Sequence, residues 1–212
     1  MKITFEKYTD YINNIPNHGK HIVAYSEGEA VVVYQAYRNA IADYAFKHQC
    51  LGGPHYSFNR MSWIKPNFLW MMYRCGWAVK EGQENVLAIW ITKDFFEKIL
   101  SEAVYSSYQQ EVYGDQEAWK KDLKLKEVRL QWDPDHDPFG KSQERRAIQL
   151  GLKGDILKEF GQSQILKIED MSAFIQTQRA LVQTHSLEEL HVPKERVYVP
   201  QHISLQNYLG VN

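Results

Sequence analysis

Only two cysteines, Cys50 and Cys75, occur in 212 residues, and they form neither a CxxC pair nor a metal-ligand spacing. That excludes a disulfide framework and a zinc module, and it reads as two reduced thiols in a cytoplasmic protein. Neither cysteine has the local surroundings of an activated nucleophile. Long apolar runs are missing too. The N-terminal MKITFEKYTDYINN alternates polar and apolar residues, so no signal peptide is expected, and no window has the length of a membrane span. Charge of one sign is absent: 25 basic residues face 26 acidic ones, for a formal net charge of −1. Any attraction to an anionic partner must therefore be local rather than global. Fingerprints of well-known chemistry are lacking as well. There is no GxGxxG, no GxxxxGK[ST], no HExxH and no GxSxG, which removes the usual dinucleotide, P-loop, zinc-protease and serine-hydrolase motifs.

What the chain has in abundance is aromatic residues, 13% of the total. They concentrate in Tyr56–Ala78, YSFNRMSWIKPNFLWMMYRCGWA, together with the cations Arg60, Lys65 and Arg74. Indole rings are costly to expose and stack well on flat ligands, while Arg and Lys hold phosphate. Trp63, Trp70 and Trp77 recur at spacing seven. Pro66 suits the first turn of a helix running to Arg74, with Gly76 ending it. This makes Trp70 a core residue and Trp77 an anchor, and leaves Trp63, ahead of the helix, as the stacking candidate. Arg60 and Lys65 precede the helix N-terminus, where an anion is favoured.

The rest of the pattern points to an α+β domain over residues 1–184. It has a mainly antiparallel sheet, whose irregular strand order suits a split arrangement, and flanking helices. His21–Tyr25 and Ala30–Ala36 read as a hairpin around Ser26–Glu29, and Tyr37–His48 as a helix. Val86–Thr92 reads as a buried strand with Thr92 capping the helix after it, and Asp115 caps a helix to Leu123. Glu127–Trp132 reads as a strand ended by the turn WDPDHDPFG, and Arg146–Leu152 as another strand. Residues 185–212 hold two prolines and little periodicity, and are expected to wrap the surface as an arm.

Several polar residues ask for a role. Gln149 interrupts an apolar strand, where an amide is costly to bury without partners. Gln35 and Tyr37 pose the same question at the end of theirs. The alternating Asp133, Asp135 and Asp137 lack the glycine and distal glutamate of a calcium loop, so no metal is expected. Asp133, following Trp132, suits a general base or an arginine partner, and Glu144 lies just ahead of the Gln149 strand.

VYQAY, RMSWIKPNFLWMMYRCGW, VLAIWI, VRLQWDPD and RAIQLGL resemble the domain-of-unknown-function family 4291, from roughly Ile22 to Val182. That family name implies no activity. A second resemblance is to ADP-ribosyltransferase-like folds. Gln35 stands on the first strand in place of the usual Arg or His. Gly52-Gly53 form the turn, Tyr56–Ser62 the aromatic and hydroxyl motif, and Gln149 replaces the late Glu. The resemblance implies NAD as ligand, with Gln149, Glu144 and Asp133 as catalytic candidates. Gln35, Tyr37, Arg60, Trp63, Lys65 and Arg74 are the candidate cofactor contacts. The residues alone support a nucleotide-binding protein. They leave open a noncatalytic module for single-stranded nucleic acid, and a structural protein whose aromatics are core.

Overall fold

AVVVYQAY and NVLAIWIT are apolar at nearly every position, because the strands they form are covered on both faces. The computed structural model describes residues 1–211. Its first elements are β1 (Phe5–Lys7), α1 (Tyr8–Asn13), β2 (Gly19–Lys20), β3 (Ile22–Ala24), β4 (Ser26–Glu27), β5 (Ala30–Tyr37) and α2 (Asn39–His48). The aromatic–basic block carries β6 (Ser62–Ile64) and α3 (Phe68–Cys75). Next come β7 (Asn85–Thr92), α4 (Lys93–Ser101), β8 (Ala103–Tyr105), α5 (Gln110–Tyr113) and α6 (Gln116–Leu125). A long ribbon, β9 (Val128–His136) and β10 (Ser142–Leu152), is followed by α7 (Gly154–Gln162), β11 (Ile165–Asp170) and α8 (Ser172–Gln183). The chain finishes with β12 (His191–Pro193), β13 (Arg196–Tyr198) and α9 (Ile203–Leu209).

Two sheets organise these elements into an α+β fold. One has the order β11-β7-β5-β4; the other runs β2-β10-β9-β8, with β6 also paired to β10. All pairings are antiparallel except β2 with β10 and β8 with β9. Alternation along β5 and β7 creates two cores. Val31, Val33, Leu87 and Ile89 face Leu130, Ile148 and Leu150 of the second sheet. Val32, Tyr34, Ala88 and Trp90 turn the other way, towards Phe68, Met72 and Ile175 of α3 and α8. Lys65 joins the two sheets through its backbone: Tyr34 N donates to Lys65 O at 2.7 Å, and Lys65 N donates to Tyr34 O at 3.1 Å.

Local capping signals operate as the sequence suggests. Thr92 accepts from Phe95 N at 3.1 Å, Asp115 accepts from Ala118 N at 2.8 Å, and Gly76 ends α3 at φ 59°. Other expectations are corrected. WDPDHDPFG is not a turn throughout, since β9 continues through it to His136. Pro134 pairs with Arg146 beyond the point where β8 stops, so its missing N–H faces an open sheet edge at no cost. The hairpin is confined to β4 and the start of β5, while β3 diverges to pair with β13. The segment from His185 contributes two strands and a helix, and sends Leu190, Val192, Leu205 and Leu209 into the two cores. Among the described residues, no helix is long and apolar enough to cross a membrane.

Candidate functional site

β6 is three residues long, and the period of two along it divides the aromatic–basic block between two surfaces. Ser62 and Ile64 pair with Leu152 and Leu150 and point inward, towards β5. Trp63 pairs with Gly151 and points outward, with Met61 and Lys65 on its side of the strand.

The inward side forms an aromatic cleft. Gln35 is buried and donates from Nε2 to Ser62 Oγ at 2.7 Å and to the Trp63 carbonyl at 3.3 Å. A carbonyl only accepts, so this contact fixes which end of the amide is nitrogen. The Gln35 Oε1 atom is left buried with no hydrogen-bond partner. Tyr37 Oη lies 3.0 Å from the same Ser62 hydroxyl. Tyr56 Oη is buried close to both without a hydrogen bond of good geometry. Burial holds both phenols above the usual tyrosine range, so they remain hydroxyls at neutral pH. Tyr37, Tyr56 and Phe58 meet edge to face, with centroids 6.0 and 4.8 Å apart. The cleft in front of them has a volume of about 300 Å³, and its wall includes Ile41, Arg60 and Met61. That is at the small end of ligand pockets, the size for one ring and its substituent rather than a whole dinucleotide. Arg60 is exposed at this cleft and makes no ion pair among the described residues.

The outward side is a polar sheet face. Gln149 and Gln131 are register partners on β10 and β9. Gln149 Nε2 donates to Gln131 Oε1 at 2.8 Å and to Asp133 Oδ2 at 2.7 Å. The Asp133 carboxylate can only accept, which again fixes the amide and leaves Gln149 Oε1 directed away from both partners. Two residues along, Gly151 lies beneath the Trp63 indole, and a Cβ there would be 3.0 Å from ring atoms and 2.6 Å from Met61 Sδ. Lys65 belongs to the same face and is only 6% exposed. Its pKa falls to about 8: burial is the main cause, the Arg74 charge adds to it, and Asp133 opposes it. Neither Lys65 nor Arg74 makes an ion pair or side-chain hydrogen bond among the described residues. Met61 belongs to both surfaces, lining the cleft and covering Gly151, so the two meet around its side chain.

The candidates from the sequence are thus sorted. Tyr37 and Arg60 line the cleft, with Gln35 buried behind Ser62. Trp63, Lys65, Asp133 and Gln149 gather on the sheet face, and Arg74 is exposed on α3, near enough to Lys65 to act on its charge. Glu144 joins neither group. It is exposed on β10, five residues or about 16 Å before Gln149 along the strand. Trp70 and Trp77 are buried, and Trp77 Nε1 donates to the Pro138 carbonyl at 3.0 Å. The N-terminus of α3 is occupied by the chain's own Glu195, whose carboxyl oxygen accepts from Phe68 N at 2.9 Å. The other acidic residues of the WDPDHDP stretch have structural partners. Asp135 forms a buried pair with Arg145 at 2.6 Å, and Asp137 accepts from Phe139 N and Lys141 N at 2.9 Å. Gln131 escaped the sequence reading. Its signal was the alternation Gln131, Asp133 on a strand whose intervening residues are apolar.

A search of curated proteins found no match. The family model described as a domain of unknown function (DUF4291) matches residues 21–198, which takes in both surfaces and every candidate residue. The chain belongs to the DUF4291 family.

Proposed function

We propose that this protein binds a nucleotide, with a flat ring in the aromatic cleft and a phosphate at Arg60. The observation that carries this reading is the Gln35 Oε1 atom, buried and without a partner beside the Ser62, Tyr37 and Tyr56 hydroxyls. An acceptor left unpaired in a closed site costs about 1–3 kcal/mol, and a ligand N–H recovers it. A ring carrying a carboxamide supplies that N–H together with a carbonyl for a tyrosine hydroxyl. The tyrosine edges pack against such a ring.

NAD is the nucleotide that best suits these groups, and transfer of its ADP-ribosyl group is the sharpest version of the reading. In that reaction the bond from ribose C1 to the nicotinamide nitrogen breaks, and nicotinamide leaves with the bonding electrons. The acceptor forms the new bond to C1 and gives its proton to a base. A ligand that passes around Met61 reaches the face bearing Gln149 and Asp133. There the Asp133 carboxylate supplies the negative charge that the amide of Gln149 lacks, and serves as the base.

Binding of NAD to the intact chain and to Arg60→Ala and Tyr56→Ala variants tests the assignment, with circular dichroism to confirm folding. Loss of at least tenfold in affinity in both variants is expected. Folded variants that bind NAD like the parent protein contradict it.

A further inference from the structure

We infer that the outward sheet face is a second binding site, separate from the aromatic cleft, for a phosphorylated sugar. Lys65 and Arg74 hold the phosphate, Asp133 and Gln149 hold sugar hydroxyls, and Trp63 packs against the sugar ring.

The first support is Lys65. A lysine 6% exposed is desolvated, and nearly all such groups in proteins have a counter-charge or a set of hydrogen bonds. This one makes no ion pair or side-chain hydrogen bond among the described residues; Asp133 offsets its charge only in part, and a second cation, Arg74, pushes against it. A buried cation beside an exposed one, neither of them in an ion pair among the described residues, suits a dianion, since an ionic contact at the buried lysine is screened less than at an open surface.

The second support is independent of charge. Asp133, Gln149 and Gln131 form a hydrogen-bonded row in which each amide has one possible orientation. The row therefore presents fixed acceptors, Gln149 Oε1 and the second Asp133 oxygen, and a fixed donor, the Gln131 amide nitrogen. Hydroxyls both donate and accept, so a sugar satisfies such a mixed row, whereas phosphate alone meets repulsion from Asp133. The third support is steric. Gly151 is the residue that lets the Trp63 indole lie down on the sheet, and a half-exposed indole gives an apolar platform at the far end of the row. From Gly151 to the position of Ala147, opposite Asp133, is about 13 Å along the strand, a span longer than a phosphate ion.

The site shares Asp133 and Gln149 with the transfer step proposed above, but no residue that would hold the ring takes part in it, so binding of a free phosphorylated sugar here stands or falls apart from the cleft reading. Calorimetric titration of the full chain with ribose 5-phosphate, ribose and inorganic phosphate tests it, with indole fluorescence recorded in parallel. Saturable binding of ribose 5-phosphate is expected, at least tenfold tighter than binding of either ribose or phosphate. Lys65→Met is expected to weaken it at least tenfold while keeping the melting temperature of the free protein at or above that of the parent. Trp63→Phe is expected to abolish the ligand-dependent fluorescence change. Absence of saturable binding, equal affinity for phosphate alone, or undiminished binding in a folded Lys65→Met variant would each overturn the inference.

Discussion

The indole of Trp63 rests on Gly151, and a Cβ at position 151 would come within 3.0 Å of two ring carbons. Met61 Sδ is closer still at 2.6 Å, but a thioether at the end of a flexible chain moves aside more easily than an indole. Gly151→Ala therefore lifts Trp63 off the sheet. The expected cost is about 1–3 kcal/mol, the usual range for overpacking. Differential scanning calorimetry reads the loss, and a red-shifted indole emission reads the displaced ring. A variant with unchanged stability and emission would mean that the ring is not held there.

Lys65 links the sheet face to stability. Its pKa of about 8 lies below the usual value of 10.5, so the charged form is penalised in the folded state by about 3 kcal/mol at most. Between those two values the unfolded chain binds a proton that the folded chain does not, and stability rises with pH across that window. Below about pH 8 the penalty is present in full. Lys65→Met should stabilise the protein by about 1–3 kcal/mol at pH 7, with the gain fading towards pH 10.5. Urea denaturation at a series of pH values measures this directly. Destabilisation at pH 7 would show that Lys65 is compensated within the fold.

Glu195 ties the C-terminal segment to the start of α3, accepting from Phe68 N and, at 3.4 Å, from Asn67 Nδ2. Burial raises its pKa well above the carboxylate range. The folded protein then holds a proton that the unfolded chain has released, so this contribution is complete below about pH 4.5 and is lost as pH rises through the folded value. Glu195→Gln keeps an acceptor for Phe68 N and cannot ionise. It should match the parent near pH 5 and exceed it at pH 8. Glu195→Ala strands the buried Phe68 N–H and should cost about 2–4 kcal/mol. Thermal melts of the pair across pH 5–8 decide between this account and a simple volume effect, which would penalise both variants alike.

Much of the fold was legible because its signals are local. The near-unbroken apolar runs of β5 and β7, the caps at Thr92 and Asp115, and Gly76 after α3 each depend on a few adjacent residues. The candidate site was legible in content and not in arrangement. Trp63 and Ser62 are neighbours in sequence, yet a strand sends them to opposite sides, so one basic–aromatic block became two surfaces. The bond from Gln149 to Asp133 depends on register across a ribbon with an irregularity between Ser142 and Arg146, which no single strand encodes. Pro134 disguised the second half of β9 as a turn, and only the open edge beside it explains its tolerance.

The most direct test of the nucleotide reading is a titration of the purified chain with NAD, ADP-ribose, ATP and a short single-stranded RNA, followed by indole fluorescence and thermal shift. Saturable NAD binding, tighter than that of ADP-ribose because only NAD fills the cleft, is the predicted result, with modest dependence on salt. Silence towards NAD, or a response to RNA alone that disappears steeply as salt rises, would contradict it.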